Sequence, residues 1–544
     1  MSGGPLIVQS DKTALLEVDH WQAADARHDL AVFAELERAP EHVHTYRITK
    51  LGLWNARAAG HDSDFVLDVL DRYAKFPVPA AIRIDIQQTM ARYGRLVIQK
   101  GPDGDLQLHS IEPAVLVETT RQRRVNDLLL DRIDPNTWRI ADWARGQIKQ
   151  ELLKLGWPAE DLAGYTPGKS HEIELVQSGW GMRDYQNAAV EKFWEGGSGV
   201  VVLPCGAGKT IVGAATMAVA KTNTLILVTN TVSARQWKAE LLKRTTLTED
   251  EIGEYSGSIK EIAPVTIATY QILTTKRKNE YSHLALLNNH DWGLIVYDEV
   301  HLLPAPIFKM TADLQARRRL GLTATLVRED GKEGDVFSLI GPKRFDAPWK
   351  EIEAQGYIAP AACYEVRIDL PELEHLEYAI ANQDEKYRLA ASSPIKVPVI
   401  EKLLAKHAGE PTLVIGQYID QLHAVADALK AELITGDTPI SERERLFAEF
   451  REGRVSVLVV SKVANFSIDL PEASVAIQIS GSYGSRQEEA QRLGRLLRPK
   501  ADGRTASFYT LIARDTVDQD FAQNRQRFLA EQGYAYEIID AVDL

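Results

Sequence analysis

The chain has 544 residues, 45% of them hydrophobic, 26% charged and 8% aromatic. At about 150 residues per domain that length provides for three or four domains, and the composition excludes global disorder, collagen and coiled coil. A formal charge of −13 argues against coating nucleic acid through bulk charge, so any such contact requires a local basic groove.

The two cysteines, Cys205 and Cys363, exclude a disulfide framework or a cysteine-based zinc site and suit a reducing compartment. Residues 1–12 carry no basic segment leading into an apolar core, and the apolar stretch 211–220 is too short to span a bilayer. The expectation is a cytoplasmic protein without membrane association.

In chain order, residues 1–117 read as a mixed α/β unit. A helix is predicted over 21–38, a strand-like segment over 42–48, helix over 55–74 and alternation at 95–98. His42 and His44 have period-two spacing and no third ligand nearby, which makes them structural rather than a metal pair. A polar stretch with Arg121, Arg123 and Arg124 opens a connector, 118–174, holding an amphipathic helix near 142–155. Beyond it, short apolar runs alternate with helix-length segments. Strands are predicted at 200–203, 224–228, 265–269, 294–297 and 320–323, then at 361–368, 412–415, 433–435, 455–460, 475–479 and 507–511. That pattern gives an α/β fold class, with two tandem parallel-sheet domains over 175–345 and 346–544.

Three motifs carry chemistry. Leu203-Pro204-Cys205-Gly206-Ala207-Gly208-Lys209-Thr210 follows a predicted strand and opens a helix, the setting a phosphate cradle needs. Gly206, Ala207 and Gly208 let backbone N–H groups converge on a phosphate, Lys209 reaches the β/γ oxygens and Thr210 holds Mg²⁺. Cys205 is a small loop residue with no histidine beside it in sequence. The second motif, Asp298-Glu299-Val300-His301, ends an apolar strand. There Asp298 is suited to Mg²⁺, and Glu299 to orienting or deprotonating an attacking water. The third, Gln491-Arg492-Leu493-Gly494-Arg495-Leu496-Leu497-Arg498, lies in the second α/β half. A basic helix face alone is usually solvated. Opposite a phosphate cradle in another domain, Arg495 and Arg498 become candidates for stabilising γ-phosphate charge when the domains close.

In this order, these elements resemble the superfamily-two helicases and translocases. Arg183-Asp184-Tyr185-Gln186 looks like the family's adenine-reading element, which assigns Arg183 and Gln186 to the nucleotide. Thr323-Ala324-Thr325 looks like the segment coupling hydrolysis to nucleic acid. Gln236-Trp237 and Thr269-Tyr270-Gln271 match positions that grip the backbone. Ser461-Lys462-Val463 through Asp469-Leu470-Pro471-Glu472 looks like the motif sensing both γ-phosphate and strand, with Asp469 on the nucleotide side. Catalytic roles by resemblance fall to Lys209, Asp298, Glu299, Gln491, Arg495 and Arg498.

Within the superfamily, the phosphate loop, Asp298-Glu299-Val300-His301 (a DEVH box), the run from Gly321 to Asp330, and residues 485–498 read like the XPB branch. So do Arg525-Gln526-Arg527-Phe528-Leu529 and the N-terminal His42–Thr49 segment. The resemblance covers nearly the whole chain and implies two RecA-like domains using ATP and Mg²⁺. It implies 3′→5′ DNA helicase or translocase activity linked to repair and transcription-associated opening. Arg328-Glu329-Asp330, by composition a solvated loop, becomes by resemblance a strand-opening element. The family's thumb-like insertion falls at 371–391, where Glu372, Glu374, Glu377, Asp384 and Glu385 outnumber Lys386 and Arg388, a poor face for gripping phosphates. Damage recognition is not transferred to 118–174. The alternatives are a duplex-DNA translocase without strand separation and an ATP-gated scaffold docking a partner through 1–117. A nuclease or a repair or transcription complex is the partner class implied, and a monomeric motor the default. DNA binding is then expected in a channel that uses residues such as Lys238, Lys276, Arg277 and Lys278.

Overall fold

The structure, a computed structural model, describes residues 3–39, 42–204, 206–257, 259–275, 283, 290–303, 314, 317–324, 333–347, 352–353, 360–461, 473–481, 505–531, 534 and 536–544. At the N-terminus, β1 (Leu6–Val8), β2 (Thr13–Glu17), β3 (Ala34–Arg38) and β4 (Val43–Ile48) form an antiparallel sheet in the order β1-β2-β4-β3. Helices Lys50–Ala58, Ser63–Tyr73 and Ala80–Ala91 share its core, where Leu53, Val66, Leu70 and Ile82 meet Leu6, Leu16 and Tyr46.

The helix predicted over 21–38 is shorter, Ala23–Leu30, and the rest of that segment is β3. Alternation decides it. Ala34 and Leu36 are buried, whereas Glu35 is exposed and Glu37 pairs with Arg47 of β4. Cross-strand partners outweigh the helix preference of Ala and Glu. On β4, His44 is buried, and burial reinforced by Arg27 pulls its pKa from 6.5 to about 4. The unfolded chain takes up a proton near pH 6.5 that the folded chain does not. Stability therefore falls between pH 6.5 and 4, by at most about 1.4 kcal/mol per pH unit. Denaturant titrations at pH 7 and pH 5 should show a smaller loss for His44→Leu than for the parent chain, and equal losses would contradict this.

Next come β5 (Leu96–Lys100), β6 (Leu106–His109), β7 (Leu129–Asp134), β8 (Thr137–Ile140) and β9 (Ala159–Asp161), in the order β7-β8-β6-β5-β9. β6 pairs with β8 and β5 with β9, so strand pairing runs across the expected boundary at 117. The polar stretch after 117 is the exposed side of a turn and the short helix Arg123–Asn126. It sits within one unit whose core includes Leu96, Leu108, Leu116, Ile140 and Ile148.

The rest of the chain builds two sheets. The first contains β10 (Gly199–Val202), β11 (Thr224–Val228), β12 (Ile252–Tyr255), β13 (Val265–Thr269), β14 (Leu294–Asp298), β15 (Arg318–Thr323) and β16 (Lys343–Asp346), in the order β12-β13-β11-β14-β15-β10-β16. The second contains β17 (Ala361–Ile368), β18 (Thr412–Gly416), β19 (Glu432–Ile434), β20 (Val457–Ser461), β21 (Val475–Gln478), β22 (Ala506–Ala513) and β23 (Tyr536–Asp540), in the order β19-β20-β18-β21-β22-β17-β23. Numbered within each sheet, both run third, fourth, second, fifth, sixth, first, seventh, and all the pairings are parallel. One topology is used twice.

The reason these segments become such strands is visible in β11. Leu225 and Leu227 enter the apolar cluster on one face, and Ile226 and Val228 enter the cluster on the other. A strand buried on both faces needs an unbroken apolar run, which is the signature of a helix-covered parallel sheet. The insertion at 371–391 forms helices Glu372–Ile380 and Gln383–Ala391, with Leu373, Leu376 and Ile380 exposed. Among the described residues no helix is long and apolar enough to cross a membrane, and no cluster of three or more His, Cys, Asp or Glu could hold a metal ion.

Candidate active site

The C-terminal edge of the first sheet gathers the loop after β10, the end of β14 and the end of β15. In open α/β sheets this edge is where ligands bind. Gly206 and Gly208 take left-handed backbone, with φ of 80° and 83°. A side chain at 208 would also come within 2.5 Å of Gln186 Nε2. Gly208 caps the helix Lys209–Ala220, whose first N–H groups and dipole favour an anion.

The loop is braced from the segment before it. Tyr185 Oη and Gln186 Nε2 donate to the Ala207 carbonyl at 2.8 and 2.9 Å, and Gln186 Oε1 accepts from the Arg183 N–H at 2.9 Å. Gln186 is buried, so its amide is committed to the loop on one side and the Arg183 backbone on the other.

Lys209 Nζ lies 3.3 Å from Glu299 Oε1. Glu299 is a non-glycine residue at φ 50°, a left-handed conformation that costs on the order of 1–3 kcal/mol. Such strain persists where the surroundings hold the side chain in place, and here Lys209 and His301, 3.5 Å from Oε2, flank the carboxylate. Burial pushes the Glu299 pKa upward, but Lys209 and His301 outweigh it and hold the carboxyl below its usual value. Asp298 goes the other way. Burial, and then the neighbouring Glu299, raise its pKa to about 6 against the Trp237 hydrogen bond and Lys209.

Three further contacts fix this pair. Trp237 Nε1 donates to Asp298 Oδ2 at 3.0 Å, Tyr270 Oη donates to the Asp298 carbonyl at 2.7 Å, and His301 Nδ1 lies 2.6 Å from Thr323 Oγ1. The last contact ties the strained turn after β14 to the end of β15, whose Thr323 carbonyl in turn accepts from Leu203 N–H at 2.9 Å.

The donor set suits a phosphate ester with a hard cation. Glu299 Oε2 is a buried acceptor without a hydrogen bond among the described residues, and Thr210 with Asp298 could supply oxygen ligands of the kind Mg²⁺ takes. Lys209 with the two glycines could cradle the phosphate.

Several residues expected at nucleic acid are instead internal. Trp237 is 2% exposed and packs over Gly213, where an added Cβ would lie 2.5 Å from its ring. Its indole N–H donates to Asp298, so the ring is turned toward the acidic pair. Its helix, Thr231–Arg244, buries Ala234, Trp237 and Leu241, and that spacing already marks a core-facing stripe. Thr269, Thr323 and Ser461 are also buried. Gln236 and Gln271 are exposed, and Lys238 pairs with Glu249 at 2.8 Å. Thr325, Arg328, Glu329, Asp330, Lys462, Asp469, Gln491, Arg495 and Arg498, together with Cys205, Lys276, Arg277 and Lys278, lie outside the described residues. The contacts of Trp237, Tyr270 and Tyr185 could not be found in the sequence beyond that helical stripe.

Trp237→Phe keeps the ring and deletes the donor, leaving a buried carboxylate oxygen unsatisfied. The expected cost is about 1–3 kcal/mol of stability. Chemical denaturation of the variant checks this, and a midpoint equal to that of the parent chain would show that the bond contributes nothing.

Comparison with known proteins is consistent along the chain. The model described as ERCC3/RAD25/XPB C-terminal helicase matches residues 352–543. The type III restriction enzyme, res subunit model matches 180–328, and a helicase conserved C-terminal domain model matches 6–134. A Kineococcus radiotolerans protein named DNA 3'-5' helicase XPB is 68% identical over 544 residues, covering 100% of this chain and 98% of its own. The Mycobacterium tuberculosis protein of the same name is 63% identical, covering 100% and 99%. An Antonospora locustae protein, named general transcription and DNA repair factor IIH helicase/translocase subunit XPB, is 34% identical, covering 99% of this chain and 82% of its own.

Proposed function

The chain belongs to the XPB family, and from that premise and the phosphate-loop geometry we propose that it is an ATP-dependent 3′–5′ DNA helicase or translocase that opens DNA strands, acting in repair. The observation that carries the reading is the joining of Lys209 to Glu299 at 3.3 Å, on the edge where a braced glycine loop meets a strained acidic turn.

Arg183 and Gln186 border the nucleotide, with Gln186 also stiffening the loop beneath it. Gly206, Ala207, Gly208 and Lys209 bind phosphate oxygens, and Thr210 and Asp298 hold the metal. Bound Mg²⁺ supplies neutralisation of the charge that develops on the transferring phosphoryl group. Lys209 moves from the Glu299 carboxylate to phosphate, which releases Glu299 to orient and deprotonate the attacking water. The His301–Thr323 contact carries the state of that turn to the segment entering 325–330, where Thr325, Arg328, Glu329 and Asp330 are assigned to nucleic acid. Gln236, Thr269, Ser461 and Lys462 complete the strand-facing set, the buried members acting through the backbone they hold. Gln491, Arg495, Arg498 and Asp469 are assigned from sequence to the second domain's side of the cleft. There a cycle of closing and opening moves the motor along one strand.

The proposed compartment is the cytoplasm. The N-terminal region is proposed to dock a nuclease or a repair or transcription partner; the Antonospora relative is named as a subunit of a transcription and DNA repair factor, which supports the repair or transcription class. Side-by-side ATPase assays with duplex DNA, single-stranded DNA and RNA test the assignment. DNA should stimulate turnover and RNA should not. Equal stimulation by RNA, or no turnover with any of them, would remove it.

A further inference from the structure

At the opposite edge of the first sheet, where β10, β15 and β16 begin, lies a cavity of about 230 Å³. Three parts of the chain wall it. Ala58 and Tyr93 come from the N-terminal unit, Lys149, Glu160 and Asp161 from the β5–β9 unit, and Ser198, Arg319 and Arg344 from the first parallel sheet. Leu162 and Glu195, both well exposed, mark its rim.

The charged groups in and behind its wall are unevenly paired. Asp161 is shared by two cations. Arg145 Nη2 lies 2.8 Å from Oδ1 and Nε 3.0 Å from Oδ2, and Lys149 Nζ lies 3.0 Å from Oδ2. The side chains of Arg145 and Lys149 are only 3% and 9% exposed. Arg319, 1% exposed, donates to the carbonyls of Leu339, Leu314 and Arg317. Arg344 donates to the carbonyls of Ser198, Ala58 and Gly196 and meets no carboxylate among the described residues. Three cationic side chains, Lys149, Arg319 and Arg344, line the cavity, and Arg145 stands behind Asp161; beside the rim residue Glu195, the lining carboxylates are Asp161 and Glu160, the latter with no ion pair among the described residues. Glu195 is engaged with Lys192 at 3.0 Å.

Lys149 is the telling group. An ammonium has three donors, and among the described residues Lys149 uses one, on Asp161. Burial, together with Arg319 and Arg145, pulls its pKa from 10.5 to about 8 against the Asp161 charge, the mark of a cation short of negative partners. Buried charge without compensation is costly, and a bound counter-ion offsets that cost. At about 30 Å³ per water molecule, the space holds a small oxyanion with part of its hydration.

We propose that this cavity is a binding site for a small phosphate-type dianion, held by Lys149 and Arg344. Its occupancy fastens the N-terminal and β5–β9 units to the first parallel sheet. Among the described residues the hydrogen bonds across this junction include Asn55 Oδ1 accepting from Lys343 N–H at 3.1 Å, Gln150 Nε2 donating to Asp335 Oδ1 at 3.0 Å and Arg344 Nη1 donating to the Ala58 carbonyl at 3.2 Å. An anion touching all three walls adds charge-assisted bonds to these.

Inorganic phosphate is the probe, used on the full chain carrying Lys209→Ala so that the nucleotide loop contributes nothing, with sodium chloride matched for ionic strength. Phosphate should raise the thermal midpoint beyond the chloride control, because a ligand that binds only the folded state stabilises it. Adding Lys149→Met, which leaves Asp161 paired to Arg145, should weaken the calorimetric Kd by about tenfold or more. Adding Glu160→Gln instead should tighten it. Absence of a phosphate-specific shift, or the same Kd in all three proteins, overturns the proposal. If the Lys149→Met protein does not fold, the Glu160→Gln comparison decides alone, since unchanged or weaker binding there contradicts an anion site. Pyrophosphate, run in parallel, separates a site sized for one phosphate group from one that accepts a longer chain.

Discussion

Replacing Glu299 with glutamine should lower the DNA-stimulated ATPase rate by about 10²–10⁴-fold while nucleotide binding persists, since positioned proton transfer contributes on that scale. Gln preserves shape and one hydrogen-bonding oxygen but cannot take a proton from water. It also removes the carboxylate that Lys209 meets at 3.3 Å, so the lysine loses a competitor to phosphate rather than a ligand. The structure therefore expects the loss in kcat with KM steady or lower. A single-turnover measurement that finds slow binding and normal chemistry would assign Glu299 a different role. The left-handed turn at φ 50° makes the position sensitive to larger changes, so the conservative glutamine is the informative replacement.

Lys209→Ala should be comparably severe but different in kind. The ammonium is the cation among the described residues that approaches the acidic pair most directly, and losing one preorganised charge at the reacting phosphate costs about 10²–10³ in kcat. Here KM for ATP should rise as well, because the same contact binds the ground state. Glu299 also loses the neighbour that does most to hold its carboxyl below the usual value. Parallel nucleotide-binding and turnover assays on the two variants separate the effects. If Lys209→Ala lowers kcat with ATP affinity intact, the lysine acts only in the transition state, and the cradle assignment of the loop needs revision.

What could be read in the sequence tracks burial and chain distance. The interior strands of both parallel sheets stand out because each face is covered, giving apolar runs such as those of β11, β13 and β18. The strands of these two sheets left unpredicted, β12, β16 and β23, are all sheet edges. Edge strands are half solvated and carry residues such as the Lys, Arg and Asp of β16, which hide the signal. The polar surface turn near 118–126 looks like a linker in sequence, while the strands that pair across it lie far apart along the chain. Within the site, Lys209, Asp298 and Glu299 were legible as motifs because their chemistry depends on local strand-to-loop geometry. The bracing of Ala207 by Tyr185 and Gln186, the Trp237 bond to Asp298 and the His301–Thr323 link are tertiary contacts between motifs. Family patterns name such positions without saying which ones touch the ligand and which hold the others. The opening charge of −13 belongs to the protein's exterior; at the nucleotide edge and in the junction cavity the decisive groups are buried cations set against carboxylates.

Strand displacement is the most direct test of the central claim. Duplexes carrying a single 3′ or a single 5′ single-stranded tail would be mixed with the full chain and ATP. The account predicts release of the strand from the 3′-tailed duplex, little from the 5′-tailed one, and none with the Glu299→Gln protein. Equal release from both duplexes, release by Glu299→Gln, or ATP turnover without any displacement would contradict a 3′–5′ helicase powered at this site.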